Sequence, residues 1–274
     1  MVVNGFIIGT YLLEWTAKKS LHTTDSILLC LDLTRWIWNL ISVLWYLPDL
    51  TYEVYMYFNA FWIYFNWSSL WFVSLLTVVY CVKITNYNNI IFVYVKTNIS
   101  KGLKWLILGN LMISLAFTFM NWYIMNIPLN SWNNTIEISP NSTQPDIQVA
   151  SVFTVSMWIY YLTSCLPFFM FCAAVLLLIA SLWSHIRQIK SSETGFAGSH
   201  LKAHFSVLEK MVFSFILYIA YFVSDSLSLL SVDTLTVWSI LSFTMPPFLS
   251  SFYSGFLIYS NTRLKKMFID GWRK

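Results

Sequence analysis

The feature that most constrains this chain is a succession of long apolar runs, at about residues 2–16, 26–47, 57–83, 103–125, 152–184, 205–230 and 235–259. A helix that crosses a bilayer needs about 20 such residues. Six runs reach that length. The first, with about 15, extends only about 22 Å against a hydrocarbon core of about 30 Å. Lipid offers no partners to a bare backbone, so a spanning segment must satisfy its own peptide groups. A β-barrel would show alternating segments of about 10 residues, and these runs are longer and unbroken. The expected fold is therefore all-α and membrane-embedded: a seven-transmembrane helix bundle with a short first helix. Composition agrees, with 58% hydrophobic and 10% charged residues, against about 25% charge in a soluble domain. No large soluble domain, repeat or low-complexity tract is visible, so residues 1–274 read as one membrane domain.

The basic residues set an orientation. Lys18 and Lys19 follow the first run, and Lys83, Lys96, Lys101 and Lys104 lie around the junction of the third and fourth. Arg187, Lys190, Lys202 and Lys210 join the fifth to the sixth, and Arg263, Lys265, Lys266, Arg273 and Lys274 end the chain. These are 15 of the 16 basic residues, and all fall on one side. The other side carries Asp49, Glu53, Glu137, Asp146 and Asp233. The positive-inside rule then predicts a multi-pass protein with a cytosolic C-terminus and an extracellular N-terminus. Two N-x-S/T sequons, at Asn133 and Asn141, fall in the long polar stretch on the predicted outer face and are candidate glycosylation sites. Those at Asn66 and Asn98 fall in a span and in a cytosolic stretch, where they should be silent.

Cys30, Cys81, Cys165 and Cys172 lie in or at the ends of apolar runs, so no disulfide is expected. Neither a cleavable signal peptide nor a lipidation site is expected. The four histidines have no cysteine or carboxylate at metal-ligand spacing, and no catalytic motif is present. Neither enzyme activity nor a metal or cofactor is therefore expected.

Ionisable residues at membrane depth are costly and become functional candidates. Asp32 and Arg35 are three apart on one face of the second run and are expected to pair. Such a pair either locks helices together or acts as an activation switch. Asp225, in the sixth run, either faces a cavity and attracts a cationic ligand or is a solvated residue near a helix end. Trp62 and Asn66 share a face of the third run. An asparagine there needs a partner from another helix or from a ligand.

Several segments, in order, resemble the bitter taste receptors, the type 2 taste receptor family of G-protein-coupled receptors. In the first run Asn4-Gly5-Phe6-Ile7 is similar to G-N-x-F-I, and in the second Leu31-Asp32-Leu33-Thr34-Arg35 is similar to L-A-x-S-R. The third carries Trp62 and Asn66-Trp67-Ser68-Ser69-Leu70-Trp71-Phe72, like W-x-x-x-N-H-x-S-x-W-F, then Tyr80-Cys81-Val82-Lys83-Ile84-Thr85-Asn86-Tyr87, like Y-F-L-K-I-A-N-F. Ser181-Leu182-Trp183-Ser184-His185 resembles S-L-W-x-H, Lys202-Ala203-His204 resembles K-A-H, and Tyr218 to Phe222 resembles Y-A-I-Y-F. Ser254 to Lys265 is similar to S-x-x-L-I-L-x-N-x-K-L-K.

The resemblance implies a receptor for small, mostly apolar bitter compounds that activates a gustducin-like heterotrimeric G protein within membrane lipid, with no nucleic-acid partner. It implies that Trp62 and Asn66 line the agonist pocket, with Asp225 and the aromatic lever Tyr221 on the sixth helix. Asn4, Arg35, Asp32 and Ser254 would form an inter-helix activation network. Tyr80, Lys83, His185, Lys202, His204 and Leu257 would meet the G protein. The sequence departs from the family pattern at Trp67 and Tyr253, where histidine is usual, at Asp32, where the usual residue is small and apolar, and at the shifted Pro246-Pro247. Asn4 matches a position midway along the family's first helix, which implies that the outer half of that helix was lost or left out of the gene model. The alternatives are a vomeronasal type 1-like receptor and, from another class, a small membrane transporter; the latter predicts internal repeats, which are not visible.

Overall fold

Within an apolar run lipid offers no partner, so the helix itself must satisfy most backbone N–H and C=O groups. The computed structural model describes residues 2–19, 21–44, 51–85, 90–125, 145–191, 197–230, 237–260 and 262–272. These residues form eight helices and no strand: α1 (Val2–Lys18), α2 (Thr23–Leu44), α3 (Tyr52–Ile84), α4 (Ile90–Met125), α5 (Pro145–Ser191), α6 (Ala197–Leu230), α7 (Val237–Ser260) and α8 (Thr262–Trp272). Each of the seven apolar runs became one helix, but several helices outrun them. α4 begins at Ile90 rather than at 103, and α5 extends over 47 residues. Hydropathy marks the part of a helix that prefers lipid, and it does not mark where the backbone stops being helical. α8 was not anticipated. Its Leu264 is buried, while Lys265, Lys266, Phe268 and Ile269 are exposed, so it is too amphipathic to register as an apolar run.

Four helices among the described residues are long and apolar enough to cross a membrane, within Thr23–Leu44, Met56–Ile84, Phe92–Met125 and Thr154–Ser184. Contacts fix how the helices run. Trp62 reaches Ser42 and Arg35 reaches Ser69, so α2 and α3 are antiparallel. Asn66 meets Tyr160 and Ser74 meets Pro167, so α3 and α5 run the same way. Tyr160 and Tyr161 meet Asp225 and Ser226, while Phe171 meets Phe215, so α5 and α6 are antiparallel. Asn39 reaches Ser251 and Arg35 reaches Ser254, so α2 and α7 are antiparallel. The starts of α2 and α4 and the ends of α1, α3 and α7 therefore share one end of the bundle. Lys18, Lys83, Lys101, Lys104 and Lys265 lie there, and it is called the basic end below.

α3 is the axle. It packs against α2, α4 and α5 and bonds side chains of α6. Trp67, Leu70, Phe72, Val73, Leu76 and Val79 are all fully buried on it. α4 is its opposite, with Trp105, Met112, Phe119 and Tyr123 turned outward. An apolar outward face is what a lipid-covered helix requires, since lipid is as apolar as the side chains.

Candidate functional site

Asn66 sits midway along α3, where three helices converge on it. Its side-chain Nδ2 donates to the Tyr160 hydroxyl of α5 and, at 3.1 and 3.4 Å, to the two carboxylate oxygens of Asp225 on α6. The Tyr221 hydroxyl of α6 donates to Asn66 Oδ1. The Tyr160 hydroxyl in turn donates to Asp225 Oδ2 at 2.8 Å. All four residues are buried, and Asp225 is 1% exposed. This excludes the reading of Asp225 as a solvated residue near a helix end. A carboxylate taken out of water must be hydrogen-bonded, and Tyr160 and Asn66 do this across three helices.

Aromatic rings enclose the cluster. Tyr160 stacks on Trp67 with centroids 5.3 Å apart, and Trp67 donates its Nε1 proton to Ser164 Oγ at 2.9 Å. On the other flank Trp38 of α2 lies against Tyr221 and Trp62, at 6.3 and 5.8 Å. Trp62 is half-buried and donates from Nε1 to Ser42 Oγ at 3.2 Å. Trp62, Asn66, Tyr221 and Asp225, singled out from the sequence, thus belong to one neighbourhood. Tyr160, Trp38 and Trp67 belong to it too and were missed as site residues. A signal for Trp38 existed: it stands three residues after Arg35, on the same helix face. Nothing in the local sequence separates Tyr160 from Tyr161.

One turn toward the basic end lies the second cluster. Arg35 Nε donates to Ser69 Oγ at 3.1 Å, and its Nη1 donates to Ser254 Oγ at 3.4 Å. The guanidinium carbon lies 4.6 Å from the centroid of the Tyr253 ring. The expected Asp32–Arg35 ion pair is not formed. The two Asp32 oxygens are buried and accept no hydrogen bond. The reason is directional: the planar guanidinium has donors aimed at the hydroxyls of α3 and α7 and a face for Tyr253, and these draw it off its own helix. Ser254 stands beside Asp32, and its hydroxyl lies 3.4 Å from the Ser250 carbonyl, while the Asp32 oxygens meet no donor in good geometry. Asn4 is also fully buried, yet neither of its amide atoms has a hydrogen-bond partner, so Arg35 and Ser254 are joined without it.

At the basic end Lys83 is exposed, and Tyr80 and Leu257 are partly buried against the core. His185 lies in α5, and Lys202 and His204 lie in α6. Their side chains are outside the described residues, as are Asn133 and Asn141 altogether. The four cysteines are free thiols. No group of metal-ligating side chains occurs among the described residues.

A family model for the taste receptor protein (TAS2R) family matches residues 1–271. The chain belongs to that family. Taste receptor type 2 member 125 of Rattus norvegicus is 26% identical over 97% of this chain and 86% of its own length. Taste receptor type 2 member 13 of Homo sapiens is 29% identical over 97% and 89%. Member 4 of Pan paniscus is 32% identical over 82% and 75%. The chain is thus a bitter taste receptor with the seven-helix fold of G-protein-coupled receptors, a membrane protein and not an enzyme. As for the family generally, its ligands are small molecules and its output is G-protein signalling. Neither a vomeronasal-like receptor nor a transporter is needed to account for it.

Proposed function

We propose that the cluster around Asn66 is the agonist site, lined by Trp62, Asn66, Tyr221 and Asp225 and completed by Trp38 and Tyr160. The observation that carries this reading is the convergence of α3, α5 and α6 on one buried amide, beneath a wall of aromatic rings. Aromatic surface with a few convergent polar groups suits small, largely apolar compounds. The whole chain acts as one receptor domain, in the plasma membrane, with its basic end and C-terminus in the cytosol and Asn133 and Asn141 glycosylated outside.

Activation is a population shift. A ligand favours the active arrangement only by its differential affinity for it. An agonist that competes for the Asn66 hydrogen bonds loosens the tie between α3, α5 and α6. The network of Asp32, Arg35 and Ser254, with Asn4 beside it, lies one turn below and is the next set of contacts to rearrange. The basic ends of α5 and α6 then separate, and a gustducin-like heterotrimer docks on Tyr80, Lys83, His185, Lys202, His204 and Leu257. In cells expressing the receptor with a promiscuous G protein, a broad bitter panel should evoke calcium release. Trp62→Ala and Asn66→Ala should each weaken that response at least about tenfold in EC50 with surface expression retained, the loss of one or two buried interactions. Unchanged dose–response curves in both variants would remove the pocket assignment.

A further inference from the structure

We propose that the seam between α3 and α4 is a hydration site, where ordered water is held by Ser68 and Trp71 of α3 and Asn110 and Ser114 of α4. It is separate from the agonist site argued above and does not depend on it. Ser68 stands two residues from Asn66, about 200° around the axis of α3.

The first observation is a set of buried polar atoms that make no hydrogen bond: Ser68 Oγ, Trp71 Nε1, both amide atoms of Asn110, and Ser114 Oγ. Ser68 and Ser114 are 0% exposed and Asn110 is 5% exposed. Buried polar groups ordinarily have partners, and an orphan is costly, most of all where the surroundings are lipid. The five atoms comprise an indole donor, an amide donor, an amide acceptor and two hydroxyls that do either. Water is the small guest that both donates and accepts, and buried water typically bonds about three such groups.

The second observation is register. At the basic end Lys96 of α4 donates from Nζ to the Thr85 carbonyl, just past α3, at 2.9 Å. Midway, Trp67 of α3 lies against Phe117 of α4, with centroids 5.7 Å apart. Toward the opposite end, Asn59 and Ile63 of α3 share a cavity with Thr118, Asn121 and Trp122 of α4. These pairings make the two helices antiparallel and set Trp71 level with Asn110 and Ser68 level with Ser114, within about one turn. Asn110, Ser114, Thr118 and Asn121 recur at helical period on one face of α4, and all four are buried. Ile63, Trp67 and Trp71 stand one turn apart on the side of α3 that meets it.

The third observation is the cavity itself. Its volume is about 10 Å³, the room that about one water needs. Thr118 and Asn121, which line it, are the next members of the same α4 stripe. Members of such a stripe are about 5–6 Å apart, a span that one water bridges with two hydrogen bonds. Asn121 Nδ2 donates to Ser156 Oγ of α5 at 2.8 Å, so the protein completes one end of the stripe and water completes the other.

The test uses the purified full chain in nanodiscs of phosphatidylcholine alone. Hydroxyl radicals made by X-ray radiolysis in oxygen-18 water label side chains that touch ordered water. Trp71 should take up the label, and Phe72, fully buried one residue on, should not. The double variant Asn110→Leu/Ser114→Ala should abolish labelling of Trp71. It should also lower the melting temperature by about 2–4 °C, as the loss of satisfied hydrogen bonds does. An unlabelled Trp71 in the wild type overturns the proposal, because direct pairing of the side chains gives that result. Labelling that persists in the double variant overturns it too. So does a melting temperature that is unchanged or raised, since deleting partnerless polar atoms from an apolar interface is neutral or stabilising. Labelling that appears only when cholesterol is added to the discs assigns the seam to a sterol hydroxyl and likewise overturns it. If the double variant does not fold, Ser114→Ala alone supplies the comparison, and the label on wild-type Trp71 decides.

Discussion

Two polar clusters lie about one helical turn apart in the same bundle, and they differ in how completely they are satisfied. Around Asn66 every polar group of the side chain has a partner: Oδ1 accepts from Tyr221, and Nδ2 donates to Tyr160 and Asp225. Around Arg35 the guanidinium has partners on α3 and α7, but Asp32 and Asn4 make no hydrogen bonds although both are fully buried. A saturated network resists rearrangement, because any movement leaves a buried group unpaired. A partly satisfied one has other arrangements of similar energy within reach. If the Asn66 cluster is the agonist site proposed above, the difference gives the clusters opposite parts in a two-state receptor: the Asn66 cluster as the lock that a ligand must compete with, and the Arg35 cluster as the element free to repack.

The comparison can be broken most severely at Arg35. Arg35→Ala removes the cation that ties α2 to α3 and α7 and leaves Asp32 buried beside no positive charge. A loss of about 3 kcal/mol is expected, the scale for removing hydrogen bonds made by a charged group, here those to Ser69 and Ser254. Surface immunostaining and thermal unfolding in detergent check it; near-normal values for both would mean that the cluster carries little of the fold.

The sharpest contrast is between two identical substitutions. Asp225→Asn replaces one of two accepting oxygens by an amide NH2, so that either Tyr160 or Asn66 faces a donor instead of an acceptor, and should destabilise the receptor by about 1–3 kcal/mol. Asp32→Asn removes no hydrogen bond and should cost less than about 1 kcal/mol, while altering basal signalling through Arg35. Thermal shift of the two variants side by side measures the difference, and equal losses would end the distinction between the clusters. The smallest expected effect is Trp62→Phe, which keeps a ring against Trp38 and deletes only the Nε1 bond to Ser42. It should shift stability by about 1 kcal/mol or less, and agonist dose–response curves should move far less than in Trp62→Ala.

Much of the fold was legible in the sequence because hydropathy is a property of segments. Each apolar run became one helix, and the gathering of lysines and arginines identified the basic end before any contact was known. The helix ends were not legible in the same way, as α4 and α5 show. α8 was missed because an amphipathic helix of 11 residues alternates too quickly to form an apolar run. At the candidate site, Trp62, Asn66 and Asp225 were identified because polar and aromatic residues at unusual depth stand out along a chain, while Tyr221 entered only through the family resemblance. Tyr160 did not stand out, since a tyrosine in α5 becomes a site residue only when α5 is set beside α3 and α6 in register.

By itself, then, the sequence determined how many long helices form, roughly where they lie, which end is basic and which family the chain resembles. The tertiary structure alone decided the partners: that Asn66 joins three helices, that Tyr160 and Asn66 donate to Asp225, and that Arg35 turns away from Asp32 toward Ser69, Ser254 and Tyr253. The physical reason is one of dimension. Transfer of a segment into lipid sums over neighbours in the chain, and it can be read along one line. A hydrogen bond depends on distance and direction between atoms on different helices, and those are fixed only once the helices have packed.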